Sequence, residues 1–352
     1  MNTKKKTLAV LFGGHSSEYE VSLQSAAAVL EAVDTERFDP LPIGITKDGN
    51  WHHYLGTYSA IAAGTWVDDP MLLRPAAFSP SRGAPGFWEL HNGKWMLRRI
   101  DLAFPVLHGK NGEDGTVQGL FELSGIPLVG CGTLASALCM DKDRAHKLVM
   151  LAGIAVPRSV LLEKLPASPE LATLAEGIGY PLFVKPVRAG SSFGVTRVES
   201  AAGLRAAVRE AFRYDTSVLI EEAVPGFEVG CAVMGNGNLI TGRADEIELS
   251  GGYFDFEEKY TLKTSKIHMP ARVDEPTERR LRDTACRIYR ALGCRGFARV
   301  DMFLTPDRRI VFNEVNTIPG FTSHSRFPKM MSGVGYDFAA LVDALISLGL
   351  EV

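Results

Sequence analysis

Residues 295–328 read RGFARVDMFLTPDRRIVFNEVNTIPGFTSHSRFP. Two apolar-alternating runs flank Thr305-Pro306-Asp307-Arg308, where proline and aspartate supply turn chemistry, so the stretch predicts a β-hairpin. Side chains alternate faces along a strand. Arg299 and Asp301 therefore share one face of the first strand, and Phe312, Glu314 and Asn316 share one face of the second. A two- or four-residue loop at Pro306-Asp307 sets Asp301 opposite Phe312, with Asp301, Glu314 and Asn316 pointing the same way. Two carboxylates and an amide oxygen are hard donors that suit Mg²⁺, which completes its shell with water and phosphate. Glu314, in the middle, is the candidate to bridge two ions, and Arg299 is a fixed cation beside them. The plainer reading is an exposed strand face of solvated charges. The polar, turn-rich run from Asn316 to Arg326 would be poor filler, which favours the metal site.

The chain has 352 residues, suited to two or three compact units. Hydrophobic residues make up 46% and charged residues 22%, the balance of a soluble globular protein. The formal net charge is −3 and Lys4-Lys5-Lys6 is the sole basic block, which argues against nucleic acid or a membrane as partner. The first apolar run, Leu8 to Phe12, is too short for a signal peptide or a membrane span. Cys131, Cys139, Cys231, Cys286 and Cys294 are odd in number and never spaced C-x-x-C. They read as reduced thiols of a cytoplasmic protein.

Thr7 to Phe12 predicts a buried strand, Gly13-Gly14-His15-Ser16-Ser17-Glu18 a glycine turn, and Glu20 to Val33 a helix: the opening of an α/β unit. Glycines let backbone approach a ligand and a helix start favours anions. Glu18 is the odd carboxylate there, able to meet an ammonium group; otherwise it is a favourable charge at a helix N-terminus. The absence of G-x-G-x-x-G counts against a dinucleotide site. Trp88 to Trp95 carries Asn92-Gly93 and predicts an inserted hairpin covering the sheet. His52-His53 is no metal pair, since adjacent residues point apart. The strand Asp101 to Leu107 leads into HGKNGEDG (108–115), a loop at a strand's carboxyl end like the one before it, where open α/β sheets bind ligands. His108 is a substrate-binding candidate or a satisfied loop histidine.

Asp141 caps a predicted helix to Leu151, and a new unit begins near it. Ile154 to Pro157 starts one strand and Pro181 to Pro186 forms another, ending in Lys185. Gly190-Ser191-Ser192-Phe193-Gly194 follows, a loop rich in N–H donors that can fold over phosphate, or a plain turn. Ser200 caps a helix through Leu204, Val208 and Phe212. Val218 to Val224 is a strand bearing Glu221 and Glu222, with Glu228 beyond it; carboxylates there can take an adenine amino group and ribose hydroxyls. Ser250 to Tyr260 reads as a lid with glycine hinges and four aromatics, or as a surface loop pinned by them. Leu281, Ala285, Ile288 and Leu292 stripe a helix stopped by Gly293, and Tyr336 to Leu350 is a last amphipathic helix.

LFGGHSSEYEVSLQSA, LHGKNGEDGTVQG, MDKDRAHK, VKPVRAGSSFGV, EKYTLKTSKIHMPA, GFARVDMF and NEVNTIPGFTSHS occur in that order along almost the whole chain. Together they resemble the D-alanine–D-alanine ligase family of the ATP-grasp superfamily, nearest to the D-alanine–D-serine ligases of vancomycin-resistance clusters. The resemblance implies an α/β (α+β) protein of three domains. These are a Rossmann-like N-terminal substrate domain (1–139), a central ATP-grasp unit (140–229) and a C-terminal ATP-grasp unit (230–352). It implies ATP and two Mg²⁺ or Mn²⁺ as cofactors, and a homodimer, frequent in the family. Lys147 and Lys185 would bind phosphates, with Ser192 in the loop over the γ-phosphate. Glu221, Glu222 and Glu228 would hold adenine and ribose, and Asp301, Glu314 and Asn316 the metal ions. Glu18 would fix the ammonium of the first D-alanine with His108 nearby. Glu18, Ser191 and Tyr260 would form a hydrogen-bonded cluster. Arg299 and the Gly320 N–H would stabilise an oxyanion, and Ser325 and Lys259 would steer the second substrate's carboxylate.

The chemistry implied is phosphorylation of a carboxylate to an acyl phosphate, attacked by the second amino acid's amine. A Ser191–Tyr260 pair or substrate phosphate receives the amine's proton. Arg326, where many D-alanine–D-alanine ligases carry an apolar residue, together with Phe254 resembles the D-serine-using enzymes. The Lys259-Tyr260 pair matches peptide-forming members, in contrast to the histidine of ester-forming ones. The alternative leaves Arg326 in solvent and the enzyme making D-alanyl-D-alanine. A nucleotide-binding regulator without turnover is the reading of another class; intact Asp301, Glu314, Asn316, Lys185 and Arg299 argue against it.

Overall fold

The computed structural model describes residues 5–190, 192–249 and 265–351. Ser191, Phe254, Lys259 and Tyr260 lie outside the described residues. The first sheet contains β1 (Lys6–Gly13), β2 (Phe38–Ile45), β3 (Trp51–Tyr54), β4 (Leu73–Ser79), β5 (Gly86–His91), β6 (Lys94–Arg99) and β7 (Leu102–Pro105), in the order β6-β5-β4-β3-β2-β1-β7. β1 lies parallel to β2 and β7; the rest of the sheet is antiparallel. Both faces of β1 are buried: Leu8, Val10 and Phe12 enter one core, Ala9 and Leu11 another. That is why it reads as an unbroken apolar run. Asn92 (φ 49°) and Gly93 (φ 73°) turn the β5–β6 hairpin, as their sequence predicts. The hairpin does not cover the sheet, however. It prolongs the sheet's edge, because β5 continues the antiparallel pairing of β4.

Helices α1 (Tyr19–Ala32), α2 (Tyr58–Ala62), α3 (Thr116–Ser124), α4 (Thr133–Met140) and α5 (Lys142–Leu151) accompany this sheet and lead out of it. Asp141 caps α5, accepting the Arg144 N–H at 3.0 Å. The second sheet, β8 (Ser159–Leu162), β9 (Leu182–Pro186), β10 (Thr196–Val198) and β11 (Val218–Glu222), has the order β10-β9-β11-β8 and is antiparallel throughout. Its strand begins at Ser159 rather than Ile154; Ala155 makes an isolated bridge to Val311. α6 (Ser168–Ile178) and α7 (Ala201–Ala211) share one core with this sheet. Ser200 occupies the N-cap position of α7, but its side chain makes no capping bond.

The third sheet is β12 (Phe227–Met234), β13 (Ile240–Thr241), β14 (Asp245–Leu249), β15 (Ser265–His268), β16 (Phe297–Leu304) and β17 (Ile310–Asn316), in the order β15-β14-β12-β16-β17 with β13 beside β12. The boundary expected at 229/230 falls inside β12, which runs without interruption from Phe227 to Met234. α8 (Glu275–Ala291) sets Leu281, Ala285 and Ile288 against Cys231, Val300 and Met302. It stops where Gly293 takes φ +67°. α9 (Arg326–Ser332) and α10 (Phe338–Gly349) close the described chain. Phe297, Phe321, Phe327, Leu341 and Leu345 enter the same core as Leu8, Val10, Leu23 and Leu30. The first and third units thus share a core, while the second keeps its own.

Candidate active site

The predicted hairpin is β16–β17, joined by a turn over Thr305–Arg309 in which Arg308 takes φ +61°. Its register differs from the simple alternation. Met302 faces Phe312, but Asp301 faces Glu314 and Arg299 faces Asn316. Asn313 is the extra residue of a β-bulge. The bulge explains why Phe312 and Val315, three apart, both enter the core. Phe312 does not share a face with Glu314 as expected; it packs on the core side, fully buried. The correction strengthens the site, since Glu314 now stands directly across from Asp301. The bulged Asn313 carbonyl also accepts a bond from His146 Nε2 at 2.9 Å.

Asp301 is the hub. Arg299 donates from Nε (2.9 Å) and Nη2 (2.7 Å), and Asn316 from Nδ2 (2.8 Å). Glu314 has Lys142 Nζ 3.6 Å away, and the same ammonium donates to the Ala189 carbonyl at 2.9 Å. Sequence reading passed Lys142 over in favour of Lys147. Lys147 pairs with Asp143 at 2.6 Å and keeps a largely exposed side chain. The signal available was position: Lys142 opens α5, where the helix meets the run 187–189 that leads into Gly190. No group of three His, Cys, Asp or Glu side chains converges as a ready metal cluster among the described residues. The donor set is two carboxylates and an amide on rigid strands, hard oxygen chemistry that fits Mg²⁺.

Lys185 on β9 pairs with Leu219 of β11, and its Nζ reaches two residues along to donate to Glu221 Oε1 at 2.7 Å, both side chains being buried. The other Glu221 oxygen lies 3.7 Å from His146 Nδ1, and neither atom has a hydrogen-bond partner. Burial lowers the His146 pKa, and the Glu221 charge only partly offsets this. Glu222 turns outward to Arg158 at 2.7 Å. Ser192 takes φ +59° in its loop.

A cavity of about 390 Å³ gathers Glu18, His108, Gly190, Glu228, Arg299, Asp301, Asn316, Gly320, Ser325 and Arg326 from all three units. It also includes Glu113, from the HGKNGEDG loop, to which the sequence alone attaches no role. Glu113 accepts N–H bonds from Gly109 (2.8 Å) and Ile318 (3.0 Å). Burial, and then the Glu18 charge, push its pKa up to about 8. Burial also depresses the pKa of His108, whose Nδ1 lies 2.8 Å from the Ile318 carbonyl. Ser325 Oγ accepts the Thr322 N–H at 3.0 Å, and a Cβ on Gly320 would lie 3.3 Å from it.

Arg326 does not face solvent; its side chain is 11% exposed. It grips Asp245 with Nε and Nη2, both at 2.7 Å, and reaches Glu228 from Nη1 at 3.2 Å. Asp301 Oδ1 lies 3.4 Å from Nη2. Burial alone would lower its pKa; Asp245, Asp301 and Glu228 outweigh this and hold the guanidinium charged. Asp245, fully buried on β14, escaped the sequence reading because an acidic residue beginning a strand reads as solvated.

No described helix is long and apolar enough to cross a membrane. Residues 7–131 match the family model for the D-ala D-ala ligase N-terminus, and residues 148–347 that for the C-terminus. The chain is 49% identical to the vancomycin B-type resistance protein VanB of Enterococcus faecalis, over 99% of both chains. It is 42% identical to a D-alanine–D-alanine ligase of Caldicellulosiruptor bescii, over 99% of this chain and 96% of the other. The crystal structure of the VanG D-Ala:D-Ser ligase from Enterococcus faecalis superposes with a TM-score of 0.92 at 58% identity, covering 98% of this chain and 100% of that one. With sheets, cavity and both family models in agreement along its length, the chain belongs to the D-alanine–D-alanine ligase family and is an ATP-dependent dipeptide ligase.

Proposed function

We propose that this ligase joins D-alanine to D-serine through a D-alanyl phosphate, releasing ADP and phosphate, for peptidoglycan precursors of the vancomycin-resistant type. The observation that carries the serine reading is Arg326, charged, buried and lining the substrate cavity in the grip of Asp245. A site with fixed polar donors favours a hydroxyl-bearing substrate strongly over one that lacks it. The likeness to the VanG D-Ala:D-Ser ligase supports the same substrate.

In this reading Glu18 receives the ammonium of the first D-alanine, with His108 lining the same cavity. Arg299 and the Gly320 N–H take the charge that develops on the carboxyl oxygen, the step at which preorganised donors matter most. Ser325 and Lys259 orient the second substrate's carboxylate, and Phe254 and Arg326 its side chain. Lys185, Lys142 and Lys147 supply positive charge for the phosphates, with Ser192 above them. Glu221 and Glu222 serve adenine. Glu228, against Arg326, serves ribose at the cavity's edge. Two Mg²⁺ or Mn²⁺ held by Asp301, Glu314 and Asn316 would neutralise charge on the transferred phosphoryl group. Ser191 and Tyr260, or the phosphate, take the amine's proton. The same reading places a homodimer in the cytoplasm, checked by light scattering and fractionation.

The test is coupled phosphate release with D-alanine alone, with D-alanine and D-serine, and with D-alanine and D-lactate, products identified by mass spectrometry. D-Alanyl-D-serine as the dominant product with D-serine-stimulated release is expected. Equal release without D-serine, and only D-alanyl-D-alanine formed, rejects the serine reading and leaves the D-alanine–D-alanine ligase.

A further inference from the structure

The loop carrying Gly320 is fastened to the N-terminal unit at three backbone atoms. The Ile318 N–H donates to Glu113 Oε1 at 3.0 Å, and the Ile318 carbonyl lies 2.8 Å from His108 Nδ1. The Phe321 N–H donates to Ser25 Oγ at 3.1 Å, and that hydroxyl lies 3.2 Å from His108 Nε2. A neutral His108 protonated on Nδ1 satisfies both of its contacts. Glu113 also accepts the Gly109 N–H through its other oxygen at 2.8 Å. An ionised Glu113 thus ties one loop from each unit together. A protonated Glu113 cannot do so equally, because one oxygen then carries a hydrogen and must donate it.

Glu18 lies on the other side of Gly109: a Cβ built there would be 2.6 Å from Glu18 Oε2. Among the described residues, the titratable and charged groups facing Glu113 are Glu18 ahead of α1, His108 on its own loop, Cys139 on α4 and Arg299 on β16. Arg299 is already engaged by Asp301. Burial first, and then the neighbouring Glu18 charge, disfavour ionisation of Glu113, so Glu113 keeps its proton.

We propose that Glu113 is a positioning residue for the Gly320 loop, and that Glu113, beside Glu18, holds a proton which leaves when the first substrate's ammonium arrives. The inference rests on the reading of Glu18 given above. The ammonium cancels the charge that kept Glu113 protonated. Its proton passes to solvent, and the two N–H bonds that Glu113 already accepts become those of a full carboxylate, which strengthens the hold on the Gly320 loop while the amino acid is in place. One cation is gained and one proton lost, so charge balances.

The test is calorimetric titration of D-alanine into the full chain with Mg²⁺ and a β,γ-imido ATP analogue, in two buffers of different ionisation enthalpy. A group with a pKa of about 8 releases about 0.9 proton per D-alanine at pH 7 and about 0.1 at pH 9. The wild-type KM for the first amino acid then falls about 50-fold from pH 6 to pH 8, the tenfold-per-unit slope of one proton flattening near pH 8. Glu113→Gln releases no proton, loses that slope, and turns over at least tenfold more slowly while still binding D-alanine. Buffer-independent heat in the wild type, or an unchanged slope in Glu113→Gln, overturns the inference. If Glu113→Gln does not fold, the wild-type heats decide alone. Glu18→Gln separates the two readings: if it binds D-alanine as tightly as wild type, the assignment of Glu18 fails. If it binds weakly while wild-type heat is buffer-independent, only the present inference fails.

Discussion

Replacing Arg326 with leucine strips Asp245 of its only guanidinium partner among the described residues and leaves it the Gly230 N–H at 3.0 Å. Asp301 keeps Arg299, so Asp245 carries most of the loss. A buried carboxylate without its cation costs about 3–5 kcal/mol. It escapes by taking up a proton, and holding a carboxyl of ordinary pKa about 3.9 neutral at pH 7 costs about 4 kcal/mol, which is the ceiling on the electrostatic penalty. That ceiling falls by about 1.4 kcal/mol per pH unit, to about 1.5 kcal/mol at pH 5. The sign follows: a carboxyl whose pKa is raised in the folded variant loses stability as pH rises, so the variant recovers toward wild type in acid. We expect calorimetric melting to show a Tm drop on the order of 5–10 °C at pH 7 and less than half of that at pH 5. Asp245→Asn in the same background, removing the stranded charge, should restore most of the loss at pH 7. In the product assay, Arg326→Leu should shift the ratio toward D-alanyl-D-alanine by roughly 10- to 100-fold, the worth of one hydrogen bond to a charged group. An equal Tm drop at both pH values, or none, would refute the electrostatic reasoning, and an unchanged product ratio would show that Arg326 does not select.

Glu314→Gln removes a charge from the expected ion site and should lower kcat by on the order of 10²–10⁴-fold even at saturating Mg²⁺, read by phosphate release. Near-native rates would contradict the assignment. Gly230→Ala should reduce D-serine use, because the new Cβ meets the Arg326 guanidinium and lies 2.7 Å from Asp245 Oδ1; the product ratio reports it. Gly109→Ala puts a Cβ 2.6 Å from Glu18 Oε2 at φ +72°, and should raise the KM of the first D-alanine about tenfold, with about 1–2 kcal/mol of backbone strain visible in Tm.

Much of the site could be read from residues 295–328 alone, because a hairpin, a turn and alternating polarity are local signals. The register could not. A bulge at Asn313 is set by which side chains the core accepts, Phe312 and Val315 both being drawn inward, and alternation carries no mark of it. Asn92-Gly93 announced its turn correctly, yet whether the hairpin covers a face or prolongs an edge depends on β4. Asp245, Lys142 and Glu113 were missed for one reason. Each is an ordinary polar residue in its own segment and acquires meaning from a partner far away in the chain: Asp245 from Arg326, Lys142 from Glu314, Glu113 from Ile318.

The core shared by β1, α1 and α10 constrains how the polypeptide can be made. A ribosome has synthesised the entire first sheet more than two hundred residues before Leu341 and Leu345 exist to cover it. The nascent N-terminal unit must therefore wait with an oily flank open, while the second sheet, whose core among the described residues is filled by its own strands and two helices, can finish ahead of both. Shortening the chain before Phe338 should leave that flank bare and send the product to aggregates, although every residue lining the candidate cavity would still be present.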